Sequence, residues 1–215
     1  MPASPRGLLI AVEGADGAGT TTQCRRLESW LSAAGRSVHL TREPSPGPIG
    51  LVLRELLGGA HAPFPDAAMA LLFAADRVDH LAREIAPAKA RGAIVISDRY
   101  LLSSLVYQSL SLPREFVAAI NQLAPDPDLT LLVDVPVEVA AARRRARGGD
   151  AEIFDADDTQ RRVIEGYGAE AVRLRAAGHK VVVVDGTPDA DSVFRALRSA
   201  VADACGLPAG SSLIL

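Results

Sequence analysis

The chain has 215 residues, a formal net charge of -3, 48% apolar residues and only 4% aromatic ones. This is the size of one α/β domain with a small insertion. The apolar share excludes a disordered chain, and the near-neutral charge gives no basic field for holding a nucleic acid polymer. Cys24 and Cys205 lie far apart with neither CxxC nor metal spacing, which excludes a disulfide framework and fits a reduced, cytoplasmic protein.

The first apolar run, Leu8 to Val12, is too short for a membrane span or a secretory core and ends at a glycine-rich turn, the pattern of a buried parallel strand feeding a helix. The pattern predicts a helix from about Thr21 to Ala34, stopped by Gly35, and a second strand over Ser37 to Thr41. A Pro/Gly-rich loop, Pro44 to Gly50, then precedes a helical Leu-rich stretch, Leu51 to Leu57. Ala67 to Ala90 has apolar residues at helical spacing and predicts one long helix or two in tandem, closed by Gly92. Further strands are expected at Ala93 to Ser97, Leu129 to Val133 and Val181 to Val184, separated by helical patterns. Between the last two, Val137 to Arg147 carries Arg143, Arg144, Arg145 and Arg147, followed by a Gly148-Gly149 hinge and an acidic stretch from Asp150 to Asp158. This order predicts a doubly wound parallel sheet of five strands with helices on both faces in a single domain over 1–215, and the family resemblance carried by the motifs below makes the arginine-rich stretch at about 141–158 a small lid.

The chemistry concentrates in the turn after the first strand. Gly14-Ala15-Asp16-Gly17-Ala18-Gly19-Thr20-Thr21 matches a phosphate-binding loop in length, glycine positions and terminal Thr. Its glycines let successive backbone N–H groups, together with the N-terminus of the helix, face the phosphates of ATP, so Gly14 to Thr22 are candidate ATP contacts; Thr21 is placed to ligate Mg²⁺. Thr20 stands where the pattern has a lysine and supplies no charge. Three readings follow: an inactive site, a cation from elsewhere, or a nucleotide held by backbone N–H groups and Mg²⁺. The intact motifs downstream favour a cation from elsewhere, and the arginines of the lid, Arg143 and Arg147 among them, are the candidates.

Phe73 and Arg77 lie one helical turn apart and project from one face, where a pyrimidine could stack. Asp98-Arg99 falls at the carboxyl end of the third strand, where open α/β sheets bind ligands. Asp16 is a carboxylate among phosphates and needs a cation or hydroxyl partner. Arg54 is a candidate second phosphate contact or a solvated helix residue.

Four ordered segments carry a family resemblance: Glu13-Gly14-Ala15-Asp16-Gly17-Ala18-Gly19, Thr41-Arg42-Glu43-Pro44, Leu71 to Arg77, and Asp98-Arg99-Tyr100 running into Ser103 to Gln108. In these the chain resembles the thymidylate kinases from Leu8 to about Val201. The resemblance implies the P-loop nucleoside-triphosphatase fold in three layers, phosphorylation of dTMP by ATP with Mg²⁺, and a homodimer. It implies that Phe73 stacks on thymine, Arg77 binds its carbonyl oxygen, and Ser104, Tyr107 and Gln108 line the base and sugar. It also implies that Arg99 grips the acceptor phosphate, that Asp98 stands near Mg²⁺, and that Asp16 lies near the 3′-hydroxyl. Two stretches depart from the family: Ser45-Pro46-Gly47-Pro48 replaces Gly-Gly-Thr, and the lid tail Glu152 to Asp155 lacks the usual Asp-Arg pair. The alternatives are a kinase for another nucleoside monophosphate and a non-catalytic nucleotide-binding protein.

Overall fold

The computed structural model describes residues 7–59, 64–148 and 157–207. Five parallel strands, β1 (Leu8–Glu13), β2 (Val38–Arg42), β3 (Ile94–Asp98), β4 (Leu129–Asp134) and β5 (Val181–Asp185), form one sheet in the order β2-β3-β1-β4-β5. In register, Val12 sits beside Asp98 of β3 and Leu131 of β4, so β3 ends one residue short of β1 while β4 runs two residues beyond it. Each strand runs one residue beyond its apolar run and ends on a charged residue: Glu13, Arg42, Asp98, Asp134 or Asp185. Those side chains stand at the carboxyl edge of the sheet, where such folds open their crevice.

The two faces follow from the two-residue period of a strand. Ile10 and Val12 face a layer built by α1 (Thr20–Ala33) and α9 (Ala190–Cys205), through Cys24, Leu27, Leu31, Val193 and Leu197. Leu9 and Ala11 face the opposite layer, where Ile85, Ala88 and Tyr100 pack against them. On that side α5 (Leu101–Tyr107) and α8 (Asp157–Ala176) close over Leu132 with Leu102, Val106, Val163 and Tyr167. Each fully buried Leu or Ile contributes about 1.5–3 kcal/mol relative to exposure, so the faces specify the register strongly. Glu13 continues the Leu9–Ala11 series and so turns toward α5 and α8.

Further helices of the described chain are α2 (Pro48–Leu57), α3 (Asp66–His80), α6 (Arg114–Ile120) and α7 (Val137–Arg147). The tandem helix expected over Ala67 to Ala90 is continuous, but with a wide turn: α3 passes through a π-helical segment, Leu81–Ile85, into α4 (Ala86–Ala90). Pro87 has no N–H and would clash with the carbonyl four residues back in a regular α-helix, and the wider turn relieves that clash. The lead-in helices begin one residue before the expected point in α1 and three before it in α2, where Pro48 occupies the first helical position.

The loop that departs from the family pattern is tied down from α3. Buried Asp76 accepts from the Ser45 backbone N–H at 2.7 Å and from its hydroxyl at 2.5 Å, and the same hydroxyl accepts from Gly47 N at 3.0 Å. Hydrogen bonds to a charged acceptor contribute about 1.5–3 kcal/mol each, so Asp76 fixes the path of the chain from Glu43 into α2. Among the described residues no helix is long and apolar enough to cross a membrane.

Candidate active site

The phosphate loop follows β1 and leads into α1 as its pattern requires. Gly17 has φ +94°, and a Cβ there would lie 2.4 Å from the Ala140 carbonyl of α7; one at Gly14 would lie 2.7 Å from the Val133 carbonyl. Glycine is therefore required by close backbone approach at both positions. Thr21 and Thr22 are exposed on the first turn of α1. Thr20 is buried instead, its methyl beside Gly14, so it packs beneath the loop and brings no charge to it.

Thr21 Oγ1 donates to Asp98 Oδ2 at 2.5 Å, while Asp98 Oδ1 is buried and has no partner among the described residues. An orphaned carboxylate oxygen beside a hydroxyl is a hard-oxygen donor set, and it fits Mg²⁺. Among the described residues no group of three His, Cys, Asp or Glu side chains converges, and Mg²⁺ in phosphate sites draws its other ligands from phosphate and water.

Arg99 is the hub. Its backbone has φ +71°, a left-handed conformation that non-glycine residues adopt only under constraint. Nη2 pairs with Asp16 Oδ1. Nη1 donates to the Gly14 carbonyl at 2.9 Å, to the Tyr167 hydroxyl at 3.1 Å and, at 3.4 Å, to Ser103 Oγ. The guanidinium lies 5.4 Å over the Tyr107 ring. These contacts leave Nε and one Nη2 hydrogen without a protein partner among the described residues.

Asp16 finds both kinds of partner the sequence demands: the cation Arg99, and a hydroxyl from Tyr107, which donates to Oδ2 at 3.0 Å, with Gln160 Nε2 at 3.3 Å. Burial alone would raise its carboxyl; Arg99, Tyr107, Gln160 and Arg144 outweigh that and hold it below the usual carboxylate range. Glu13 has the opposite balance. It is fully buried, and desolvation pushes its carboxyl up to about 7 despite hydrogen bonding from Ser103 and the charges of Arg99 and Arg77.

A cleft of about 390 Å³ runs from Asp16, Thr21 and Arg99 past Arg42 and Arg54 to Phe73, Arg77, Ser104, Tyr107 and Gln108. Every expected acceptor-site residue therefore meets in one cavity. Arg77 is held more tightly than expected, at 1% exposure. Nε and Nη2 donate to Glu43 Oε2 at 2.9 and 2.6 Å, Nη2 also reaches the Tyr100 carbonyl and Ser104 Oγ, and Nη1 donates to Asn121. Glu43 in turn meets His80 Nδ1 at 3.3 Å. Gln108 Oε1 is buried and has no partner among the described residues. Arg54 donates to the Pro44 carbonyl, and burial together with nearby Arg42 lowers its pKa.

The arginine-rich helix α7 divides. Arg144 Nη1 donates to the Asp16 carbonyl at 2.9 Å, whereas Arg143 bridges the Ala18 carbonyl at 3.4 Å to the carbonyls of Thr187 and Pro188 after β5. Arg145 is exposed. The Arg147 side chain and the lid stretch 149–156 lie outside the described residues. Sequence reasoning missed Tyr167 and Gln160, which carry no local pattern that marks them, and gave no role to Glu13 and Ser103 although both lie inside quoted motifs; Arg144 was among the lid arginines it named.

Residues 12–196 match the family model described as thymidylate kinase. The thymidylate kinase of Xanthomonas campestris pv. campestris (strain B100) is 42% identical over 199 residues, covering 92% of this chain and 84% of the relative. The probable thymidylate kinase of Pyrobaculum aerophilum is 45% identical over 183 residues, covering 84% and 90%. That of Pyrococcus abyssi is 41% identical over 169 residues, covering 75% and 82%.

The raised Glu13 carboxyl has a signed consequence for stability. Between its ordinary 4.5 and about 7 the folded state holds a proton that the unfolded chain has released, so this group's contribution falls as pH rises through that window. Glu13→Gln removes the titration. Thermal melts of both proteins should show the wild type losing stability relative to the variant between pH 5 and pH 8; a constant gap would mean that Glu13 titrates normally.

Proposed function

The chain belongs to the thymidylate kinase family, and from that premise we propose how its residues divide the work. The activity is ATP-dependent phosphorylation of dTMP to dTDP, which feeds dTTP synthesis. The observation that carries the division is Arg99: a guanidinium fixed by Asp16, Gly14, Tyr167 and Tyr107 that keeps Nε and one Nη2 hydrogen available. Those two donors match the bidentate geometry of a phosphate. Arg99 thus grips the dTMP phosphate, with Arg54 as a second contact and the exposed Arg42 adding positive charge at the rim.

Phe73 stacks on thymine. Gln108 Oε1, an acceptor with no partner among the described residues, suits the N3–H of the ring, and Arg77 has one Nη1 hydrogen beyond its Asn121 bond for a carbonyl oxygen. Ser104, Tyr107 and Asp16 complete the base and sugar side, with Asp16 beside the 3′-hydroxyl. Gly14 to Thr22 receive the ATP phosphates. Thr21 and Asp98 would hold Mg²⁺, which would supply charge neutralisation for the transferring phosphoryl group. The acceptor phosphate is ionised at neutral pH, so no general base is needed. Its oxygen forms the new bond to the γ-phosphorus as the bond to the β–γ bridging oxygen breaks and ADP leaves. Arg99 and an α7 arginine offset the charge of the two facing phosphates, so positioning and electrostatics carry the catalysis. Arg144 and Arg143 are already at the phosphate loop, and Arg147 completes the set on this reading.

The same proposal includes one domain over 1–215 with a lid at about 141–158, a cytoplasmic location supported by the free thiols of Cys24 and Cys205, and a homodimer. The dimer is supported by an apolar face of α3, where Leu71 and Val78 are 51% and 41% exposed around a shallow depression floored by Ala74, Ala75 and Ile120.

Purified protein should phosphorylate dTMP with ATP and Mg²⁺ in clear preference to UMP and CMP, and Arg99→Ala should lose at least ~2 kcal/mol of transition-state stabilisation in kcat/KM. Equal rates on all three monophosphates would sink the thymine assignment, and an unaltered Arg99→Ala would remove Arg99 from the site. If α7 supplies the charge that Thr20 lacks, an Ala substitution at the critical one of Arg143, Arg144 and Arg147 should lower kcat roughly 10³-fold. Thr20→Lys should then restore part of the rate in that background and add little to the wild type. Additive effects at all three positions would favour the backbone-and-metal account. Sedimentation of Leu71→Glu should give a monomer where the wild type gives a dimer; an unshifted dimer would exclude the α3 face as its interface.

A further inference from the structure

We infer that Glu13 is a positioning residue for Arg99, acting through a one-way chain of hydroxyls formed by Ser103 and Tyr167. The inference rests on the proposed role of Arg99 at the acceptor phosphate. It starts from four contacts that join β1, the turn after β3, α5 and α8. Glu13 Oε1 accepts from the Tyr100 backbone N–H at 3.0 Å, and Oε2 accepts from Ser103 Oγ at 2.5 Å. Ser103 Oγ lies 2.8 Å from the Tyr167 hydroxyl, which accepts from Arg99 Nη1 at 3.1 Å.

The ends of this chain fix its direction. A guanidinium only donates and a carboxylate only accepts, whereas each hydroxyl has one proton to give. With Glu13 ionised, the Ser103 proton is committed to Oε2, so the Tyr167 proton must go to Ser103 Oγ. The Tyr167 oxygen then presents its lone pairs to Arg99. Protonation at Oε2 would turn that order round: the carboxyl would donate to Ser103, whose own proton would face Tyr167 and compete with Arg99. Glutamine at position 13 keeps the shape but puts an N–H₂ or a neutral carbonyl at the head of the chain, so the order loses its anchor.

The setting makes the order matter. Arg99 stands in a left-handed backbone conformation, held by its N–H on the Val12 carbonyl at 2.9 Å and its carbonyl on Ser97 Oγ at 2.7 Å, so its side chain starts from a constrained root. Asp16 fixes Nη2 from the cleft side, and the hydroxyl chain fixes Nη1 from the core side. The charged and titratable groups facing Glu13 come from every neighbouring element: Arg99 after β3, Arg77 of α3, Tyr167 of α8 and Cys24 of α1, the last also under the influence of Asp98. The two arginines favour the ionised form, and the desolvated pocket opposes it.

The test is steady-state kinetics at pH 8 on the full-length variants Tyr167→Phe, Ser103→Ala, Ser103→Thr and Glu13→Gln, with Arg99→Ala run beside them. Losing one hydrogen bond to a charged donor in a site of this kind corresponds to about 10-fold. The expected result is a KM for dTMP raised about that much in Tyr167→Phe, Ser103→Ala and Glu13→Gln, with KM for ATP unchanged. Ser103→Thr, which retains the hydroxyl, should stay close to wild type. Combining Glu13→Gln with Tyr167→Phe should be no worse than either alone, because both break one chain. Unchanged dTMP kinetics in Tyr167→Phe, equal changes in both KM values, or strictly additive effects would overturn the inference. If Glu13→Gln does not fold, the Ser103 and Tyr167 variants decide the matter themselves. A crippled Arg99→Ala beside unaffected chain variants would overturn this inference alone, whereas an unaffected Arg99→Ala would overturn both it and the acceptor-phosphate role of Arg99.

Discussion

The pairing of Arg99 with Asp16 is the constraint around which the rest of the site is arranged. A cation half-buried at the end of β3 is unfavourable without a counter-charge, and a carboxylate inside a phosphate loop is unfavourable without a cation; each removes the other's difficulty. The two arrive from opposite sides of the β1–β3 pair, Asp16 from the turn after β1 and Arg99 from the turn after β3, so the parallel register of those strands sets their separation. Tyr107, Tyr167 and Gln160 then close the pair on the remaining sides. The result is a preorganised positive group in a partly desolvated pocket, where electrostatic stabilisation of a phosphoryl transfer is most effective.

The carboxyl edge of the sheet explains both what the sequence shows and what it hides. The continuous runs of Leu, Ile and Val mark the strands because both faces are buried, and the phosphate loop is recognisable because its residues are contiguous. Hydropathy ends every strand one residue early, since Glu13, Arg42, Asp98, Asp134 and Asp185 break the apolar pattern while continuing the ladder. Phe73, Arg77, Ser104, Tyr107 and Gln108 could be grouped through their motifs, and they do line one cleft. Their state could not be grouped in the same way. Arg77 looks like a free reader of a base, yet Glu43, Asn121, Tyr100 and Ser104 surround it.

The residues that stayed hidden are those whose partners are remote in sequence. Gln160 meets Asp16 and Tyr167 meets Arg99, 144 and 68 positions apart along the chain. No period or spacing encodes such meetings; they exist only once α8 has packed onto the sheet. Asp76 belongs to the same class: it sits within a family motif beside Arg77, but its work is to hold Ser45, and so the loop that departs from the family pattern is secured by a residue that does not.

The seating of Gly17 against α7 has a mechanical meaning. With no side chain between the Gly17 backbone and the Ala140 carbonyl, and with Arg144 and Arg143 bonded to the carbonyls of Asp16 and Ala18, the phosphate loop is clamped to the first turns of that helix. The loop is therefore no independent flap. It inherits the stiffness of that helix, so the loop and the arginines bonded to it ride on one lever, and any tilt of α7 moves both together.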